Sequence, residues 1–261
     1  MLLHGAGVAG ELTWTFIANY LEHWDEILIP DLLGMGNSYF ESSDKQPFTL
    51  EDISQSLLSL LRHLSWHEFD LVGYSLGGLV ALELNHDASM ALDLSSAPNF
   101  IVNSLCLIEP ALFSDPSLQD AMEFRQAFIP ITENIKAEPE ESSHFIDFLE
   151  LVSPNRKRNP KIDQLAVQRL QARPFGFANA LASVSHYADD LDEYKLDSLI
   201  SVIPQGVGII GGLSSKGLFM AQDNIRQQHK HWHIEVLPEA DHSLVYVRPK
   251  QVAQLINTYL A

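Results

Sequence analysis

The 261 residues read as an α/β chain: a mainly parallel sheet flanked by helices, with a helical segment inserted between two of its strands. Three observations carry that reading. Short apolar runs alternate with stretches of helical periodicity, the pattern of strands joined by crossover helices. Between about Phe113 and Ile200 that rhythm breaks, and the chain becomes polar, acidic and helical in pattern. Finally, a glycine-flanked serine stands where one apolar run gives way to a helix, within Gly73-Tyr74-Ser75-Leu76-Gly77.

In chain order, Met1 to Leu3 reads as the end of a strand and Glu26 to Leu32 as a second strand. Thr49 is placed to cap a helix, with Asp52 three residues on as a shorter stand-in for the usual Glu partner. Ile53, Leu57, Leu60, Leu61 and Leu64 recur at helical spacing and mark its core-facing stripe. Further strands are read at Phe69 to Tyr74, Ser104 to Ile108, Val207 to Ile210 and Ile234 to Leu237, with a helix from Leu76 to Leu84. A last helix runs from about Pro249 to Leu260, its proline in the first turn where a missing N–H costs nothing. The pattern divides the chain into a core of residues 1–112 and 201–261 and a cap or lid of residues 113–200, placed over the carboxyl ends of the strands. Charge runs in that segment, including Arg156, Lys157 and Arg158, read most simply as solvated faces.

Composition narrows the function classes. Hydrophobic residues make up 46% and charged residues 19%, too apolar for disorder. The 16 Lys plus Arg against 34 Asp plus Glu give a net charge of −18, which repels phosphate backbones and argues against a nucleic-acid partner. Cys106 is the single cysteine, set in an apolar run, so an internal disulfide is excluded and a buried core position is expected. No apolar run approaches the ~20 residues of a membrane helix, and no basic stretch leads into an apolar one at the N-terminus; the default expectation is a cytoplasmic protein.

The serine motif carries the chemistry. G-x-S-x-G between a strand and a helix holds its serine at a sharp turn, where Gly73 and Gly77 lack the β-carbons that would clash. Ser75 then stands at a helix N-terminus, where free N–H groups favour developing negative charge. The Leu76 N–H points into the same space, and the turn in Leu2-Leu3-His4-Gly5-Ala6-Gly7 offers the Ala6 N–H as a second oxyanion donor. His4 reads as a structural brace for that turn rather than as a reacting group.

With these residues in view, the chain resembles the α/β-hydrolase superfamily, as a serine hydrolase with a helical lid. LLHGAG at the start, IPDLLGMGNS at 29–38, LVGYSLGG at 71–78 and LPEADHS at 237–243 carry the resemblance across nearly the whole chain. Within the second segment Asp31, Gly34, Gly36 and Ser38 are expected to shape a loop beside the site. Relatives usually begin with two further strands, which this sequence lacks; the expectation is a longer native product, because an uncovered strand edge is a hazard.

The resemblance also assigns the base. Of the 11 histidines, His242 in Asp241-His242-Ser243 stands in the loop that reaches the nucleophile in relatives. His229, His231 and His233 read as a surface cluster rather than a zinc motif. Relatives commonly carry the acid after the strand matching Val207 to Gly212, but here Leu213, Ser214, Ser215 and Lys216 follow. Glu109, which closes an apolar strand in Leu107-Ile108-Glu109-Pro110, is the expected acid, since a carboxylate buried there unpaired would be costly. Asp241 is the next candidate.

The expectation is therefore hydrolysis of a small, apolar carboxylic ester by Ser75, His242 and Glu109, with the Ala6 and Leu76 amides holding the oxyanion and no metal or organic cofactor implied. The alternatives are a carbon–carbon bond hydrolase or lyase on the same residues, or a non-catalytic small-molecule-binding member of the fold. Phe113, Phe124, Phe128, Phe175, Phe177 and Tyr187 are possible apolar pocket liners, most of them expected to pack helices instead.

Overall fold

A computed structural model of the chain describes residues 1–40, 43–91, 100–113 and 117–260. Five parallel strands form one sheet in the order β1-β2-β3-β4-β5: β1 (Leu2–Leu3), β2 (Glu68–Tyr74), β3 (Ile101–Ile108), β4 (Gln205–Gly211) and β5 (Trp232–Leu237). Successive side chains of a strand face opposite ways, and the two sheet faces are assembled accordingly. Leu71, Leu105 and Leu107 join one apolar cluster, while Val72, Tyr74, Cys106 and Ile108 join another.

Helices cover both faces. On the second face lie α1 (Gly10–Ala18) and α12 (Pro249–Leu260), which contribute Trp14, Ile17, Val252 and Ile256. On the first face lie α2 (Leu50–Leu64), α3 (Leu76–Ala91) and α10 (Lys216–Gln228). The start of α2 is fixed by a reciprocal cap: Thr49 Oγ1 accepts from the Asp52 N–H, and Asp52 Oδ2 accepts from the Thr49 N–H. Ile53, Leu57 and Leu61 point inward from it, whereas Leu64, its last residue, is left exposed.

Among the described residues between β3 and β4 run six helices: α4 (Leu118–Gln126), α5 (Phe128–Ala137), α6 (Ser142–Val152), α7 (Pro160–Gln171), α8 (Pro174–Asp190) and α9 (Glu193–Ser201). Helices α5 to α8 enclose their own apolar cluster, including Phe128, Phe145, Phe148 and Phe177, which reaches Val8 of the core. The short α11 (Leu244–Val247) follows β5. Among the described residues, no helix is long and apolar enough to cross a membrane.

Two expectations are corrected. Glu26 to Leu32 is not a strand. Its tie to β1 is a single ladder-type bond from the Leu2 N–H to Leu28 O, since β1 offers only two residues to pair with and Pro30 has no N–H to give. Arg156 is not on a solvated face either. Its side chain is 9% exposed and clamps Glu150 of α6 (2.8 Å) and Asp163 of α7 (2.5 Å). A charge buried to that extent persists because it is paired.

Candidate active site

Parallel register places the site. Tyr74 pairs with Ile108, and Ile108 with Ile209, so the residues that follow these positions emerge side by side at the carboxyl edge of the sheet. Ser75 follows β2, Glu109 follows β3, and His242 lies in the loop after β5. Both Ser75 (φ 54°) and Glu109 (φ 43°) adopt the left-handed backbone region that non-glycine residues avoid, a strain of about 1–3 kcal/mol each that surrounding structure must hold.

That hold is visible. The Ser75 N–H donates to Ile108 O at 3.0 Å, and Ser75 O accepts from the N–H groups of Gly78 (2.9 Å) and Ala111 (3.0 Å). The turn is so tight that a β-carbon on Gly73 would lie 2.3 Å from Gly77 O, and one on Gly77 would lie 2.4 Å from Leu3 O. Both glycines are required because backbone, which cannot swing aside, occupies the space.

Three side chains form one hydrogen-bonded line. Ser75 Oγ lies 3.1 Å from His242 Nε2, and His242 Nδ1 lies 2.7 Å from Glu109 Oε2. Because an ionised carboxylate only accepts, Nδ1 carries the proton and Nε2 is left free to accept from the serine. The other carboxylate oxygen, Glu109 Oε1, accepts from the Gly211 N–H (2.7 Å) and the Ser214 hydroxyl (2.5 Å). The Glu109 side chain is 1% exposed, so these bonds and the imidazole replace the water that a buried carboxylate needs. Tyr74 donates its hydroxyl to His242 O at 2.8 Å and fixes the loop from below. Asp241 is engaged elsewhere, its Oδ1 accepting from the Ser243 N–H.

Ala6 and Leu76 both line the cavity beside Ser75. Leu76 is the first residue of α3, so its N–H has no preceding helical carbonyl to bond. The next amide after Ala6 is not available, since the Gly7 N–H meets Met35 Sδ at 3.0 Å.

His4 braces this turn. It is fully buried, its Nδ1 donating to Gly5 O (2.7 Å) and its Nε2 accepting from the Leu32 N–H (2.8 Å). Burial pushes the imidazole down to about 4, only partly offset by the Gly5 carbonyl and the Asp31 charge. Unfolded His4 titrates near 6.5, so between about 6.5 and 4 the unfolded chain binds more protons and stability falls as pH falls. The contribution is complete above the unfolded value and amounts to about 3 kcal/mol lost on descending through that window. Urea unfolding of wild type and His4→Gln at pH 7, 5.5 and 4.5 measures it: the gap between the two should narrow with acid, and a constant gap would contradict the assignment. Asp31 is also structural, accepting from the N–H groups of Gly10 (2.7 Å) and Asn37 (2.8 Å).

Two cavities meet at Ser75 and His242. One, of ≈ 170 Å³, is walled mainly by α4, α5, α6 and α8 and includes Phe124, Phe128, Phe148, Leu181 and Val184. The other, of ≈ 580 Å³, is more polar and is bordered by the His242 loop, Tyr246, Arg248 and α7. Of the aromatic residues expected as liners, Phe124 and Phe128 line the first cavity. Phe177 is packed against Phe145 and Phe148, Phe175 lies under Lys45, and Tyr187 donates to Glu83. Phe148 and Arg125 line the cavity without having been singled out from sequence.

Among the described residues, the one group with metal-ligand spacing is Glu83, His86 and Asp87 on α3, outside this site. Lys195 Nζ already lies 3.2 Å from Glu83 there and supplies a cation. His233, one of the three histidines expected as a surface cluster, packs its ring against Tyr259 at a tilt of 33°.

Comparison with known proteins gives the class to which this architecture belongs. The family model described as the alpha/beta hydrolase family matches residues 1–255, and the chain belongs to that family. In overall fold it is similar to MenH from S. aureus, at TM-score 0.74 and 16% identity, covering 99% of this chain and 91% of that one. It is similar also to a thermophilic esterase from Thermogutta terrifontis, at TM-score 0.69 and 21% identity, covering 99% and 88%. A stretch of 87 residues is 32% identical to the magnesium-chelatase 30 kDa subunit of Rhodobacter capsulatus; it spans 33% of this chain and only 30% of that protein.

Proposed function

We propose that the protein is a serine hydrolase that transfers an acyl group from a carboxylic ester to water. One observation carries the reading: the unbroken line from Ser75 Oγ through the His242 ring to a buried Glu109, at 3.1 and 2.7 Å. His242 Nε2 takes the serine proton as Oγ attacks the ester carbonyl. Glu109 holds the ring in the tautomer that makes this possible and stabilises the imidazolium that results. The amides of Ala6 and Leu76 receive the oxyanion. His242 then protonates the leaving alcohol, and water repeats the sequence on the acyl-enzyme.

The same proton bookkeeping orients the substrate. The leaving oxygen collects its proton from His242, so the alcohol departs through the larger cavity bordered by the His242 loop. The acyl arm is left the smaller cavity under α4, α5, α6 and α8. In this reading residues 113–200 act as the lid that keeps that arm dry.

A fluorophosphonate probe tests the reading. Peptide mass analysis should find the adduct on Ser75, and p-nitrophenyl esters of two to eight carbons should be hydrolysed. Well-folded protein that takes no adduct and turns over no ester would overturn the proposal and leave a small-molecule-binding member of the family.

A further inference from the structure

The smaller cavity contains a charge that the chemistry above does not use. Arg125, on the last turn of α4, is 6% exposed and lines the space beside Ser75. Its Nη2 donates to Leu181 O (2.8 Å) and to Ser185 Oγ (3.1 Å), both on α8, and its guanidinium carbon sits 3.8 Å from the centre of the Phe128 ring. Nε is buried without an acceptor. Among the described residues, no carboxylate pairs with Arg125, in contrast to Arg156, whose side chain is held between two. Burial alone pushes the group down to about 9, with no neighbouring carboxylate to raise it again.

An arginine in such surroundings is expensive, because a buried cation without a counter-ion forfeits its hydration. Joining α4 to α8 does not call for it, since a leucine or methionine would pack between Phe128 and Leu181 at no such cost. Apart from Ser215 and the line of Ser75, His242 and Glu109, the rest of the cavity wall is apolar, so the guanidinium is its one charged recognition group outside that line. Its two bonds to α8, both from Nη2, fix the plane of the guanidinium, and a fixed, unpaired cation suits a carboxylate.

We propose that Arg125 binds a carboxylate at the far end of the substrate's acyl arm, so that the preferred substrate is a half-ester of a dicarboxylic acid. The chemistry rests on the serine-hydrolase reading; the anion site does not. Hydrolysis would consume one water and give the dicarboxylate, a neutral alcohol and one proton released to solvent.

The experiment compares chain-matched pairs: the monomethyl esters of succinate, glutarate and adipate against methyl butanoate, pentanoate and hexanoate, with the products followed by proton NMR. Wild type should prefer the charged member of at least one pair by roughly 10- to 100-fold in kcat/KM, the range expected of a charge-assisted contact. Arg125→Met should bring that ratio to about one or below, with most of the change in KM for the charged ester, and Arg125→Lys should fall between. A ratio is independent of how much of a variant is folded, so a merely structural arginine would leave it unchanged. Turnover of the neutral esters with no preference for the charged ones overturns the anion site and leaves the serine hydrolase standing. If neither set is turned over, calorimetry on Ser75→Ala with the monomethyl esters decides. Binding that Arg125→Met abolishes sustains the anion site without the hydrolase, and no binding removes both.

Discussion

Replacing Ser75 by alanine should lower kcat/KM for a hydrolysable ester by roughly 10⁴- to 10⁶-fold while leaving the fold intact. The Oγ makes one hydrogen bond in the structure, to His242, and alanine fits the same left-handed turn no worse than serine does. Stability should therefore change by less than about 1 kcal/mol. On the proposed mechanism Ser75 and His242 act as one unit, so the Ser75→Ala/His242→Ala double variant should be scarcely slower than either single one. Additive losses, or a single variant that keeps a hundredth of the activity, would mean that the serine is not the nucleophile. Steady-state rates on purified variants, corrected for the uncatalysed reaction, are sufficient.

Glu109→Gln should be nearly as damaging, about 10³- to 10⁴-fold in kcat. The reason lies in the bonds on the far oxygen. Oε1 accepts from the Gly211 N–H and the Ser214 hydroxyl, so a glutamine at this position keeps its carbonyl there and turns its NH₂ toward His242. The amide then donates to Nδ1, the ring proton moves to Nε2, and the atom facing Ser75 can no longer accept. KM should change little, because on the proposed mechanism Glu109 acts through the histidine. Glu109→Gln protein that retains near wild-type kcat would remove the residue from the relay and return Asp241 to consideration, despite its bond to the Ser243 amide.

Much of this site could be read from the chain because backbone constraints write themselves into residue type. Gly73 and Gly77 stand where a β-carbon would strike carbonyl oxygens, which fixes the elbow around Ser75. Glu109 showed itself as a charge ending an apolar run, and the structure brings it to 2.7 Å from His242. The residues after Gly211 supplied no carboxylate, yet Ser214 occupies that region as a donor to Glu109 rather than as an acid, and nothing in the sequence distinguishes those two roles. The strand expected at Glu26 to Leu32 failed because an apolar run says nothing about whether its neighbour is long enough to pair with, although Pro30 was a visible warning. Cavity walls were the least legible part. Phe148 and Phe145 lie on one helix at neighbouring positions, one facing the cavity and the other wholly enclosed, and their periodicity is the same. Arg125 carried no signal at all, since an arginine in a polar helix looks solvated until its neighbours are known.

Cys106 sits mid-strand in β3, at the centre of the sheet, with no exposure, and its thiol is held far above its ordinary range by burial. Its side chain faces the layer of α1 and α12, so reaching the sulfur requires that layer to lift from the sheet, and alkylating reagents have nothing to attack while the molecule stays closed. The chain thus contains a single chemical clock for its own opening. The rate at which that sulfur becomes reactive counts openings between the sheet and the layer of α1 and α12, the face away from α2, α3 and α10.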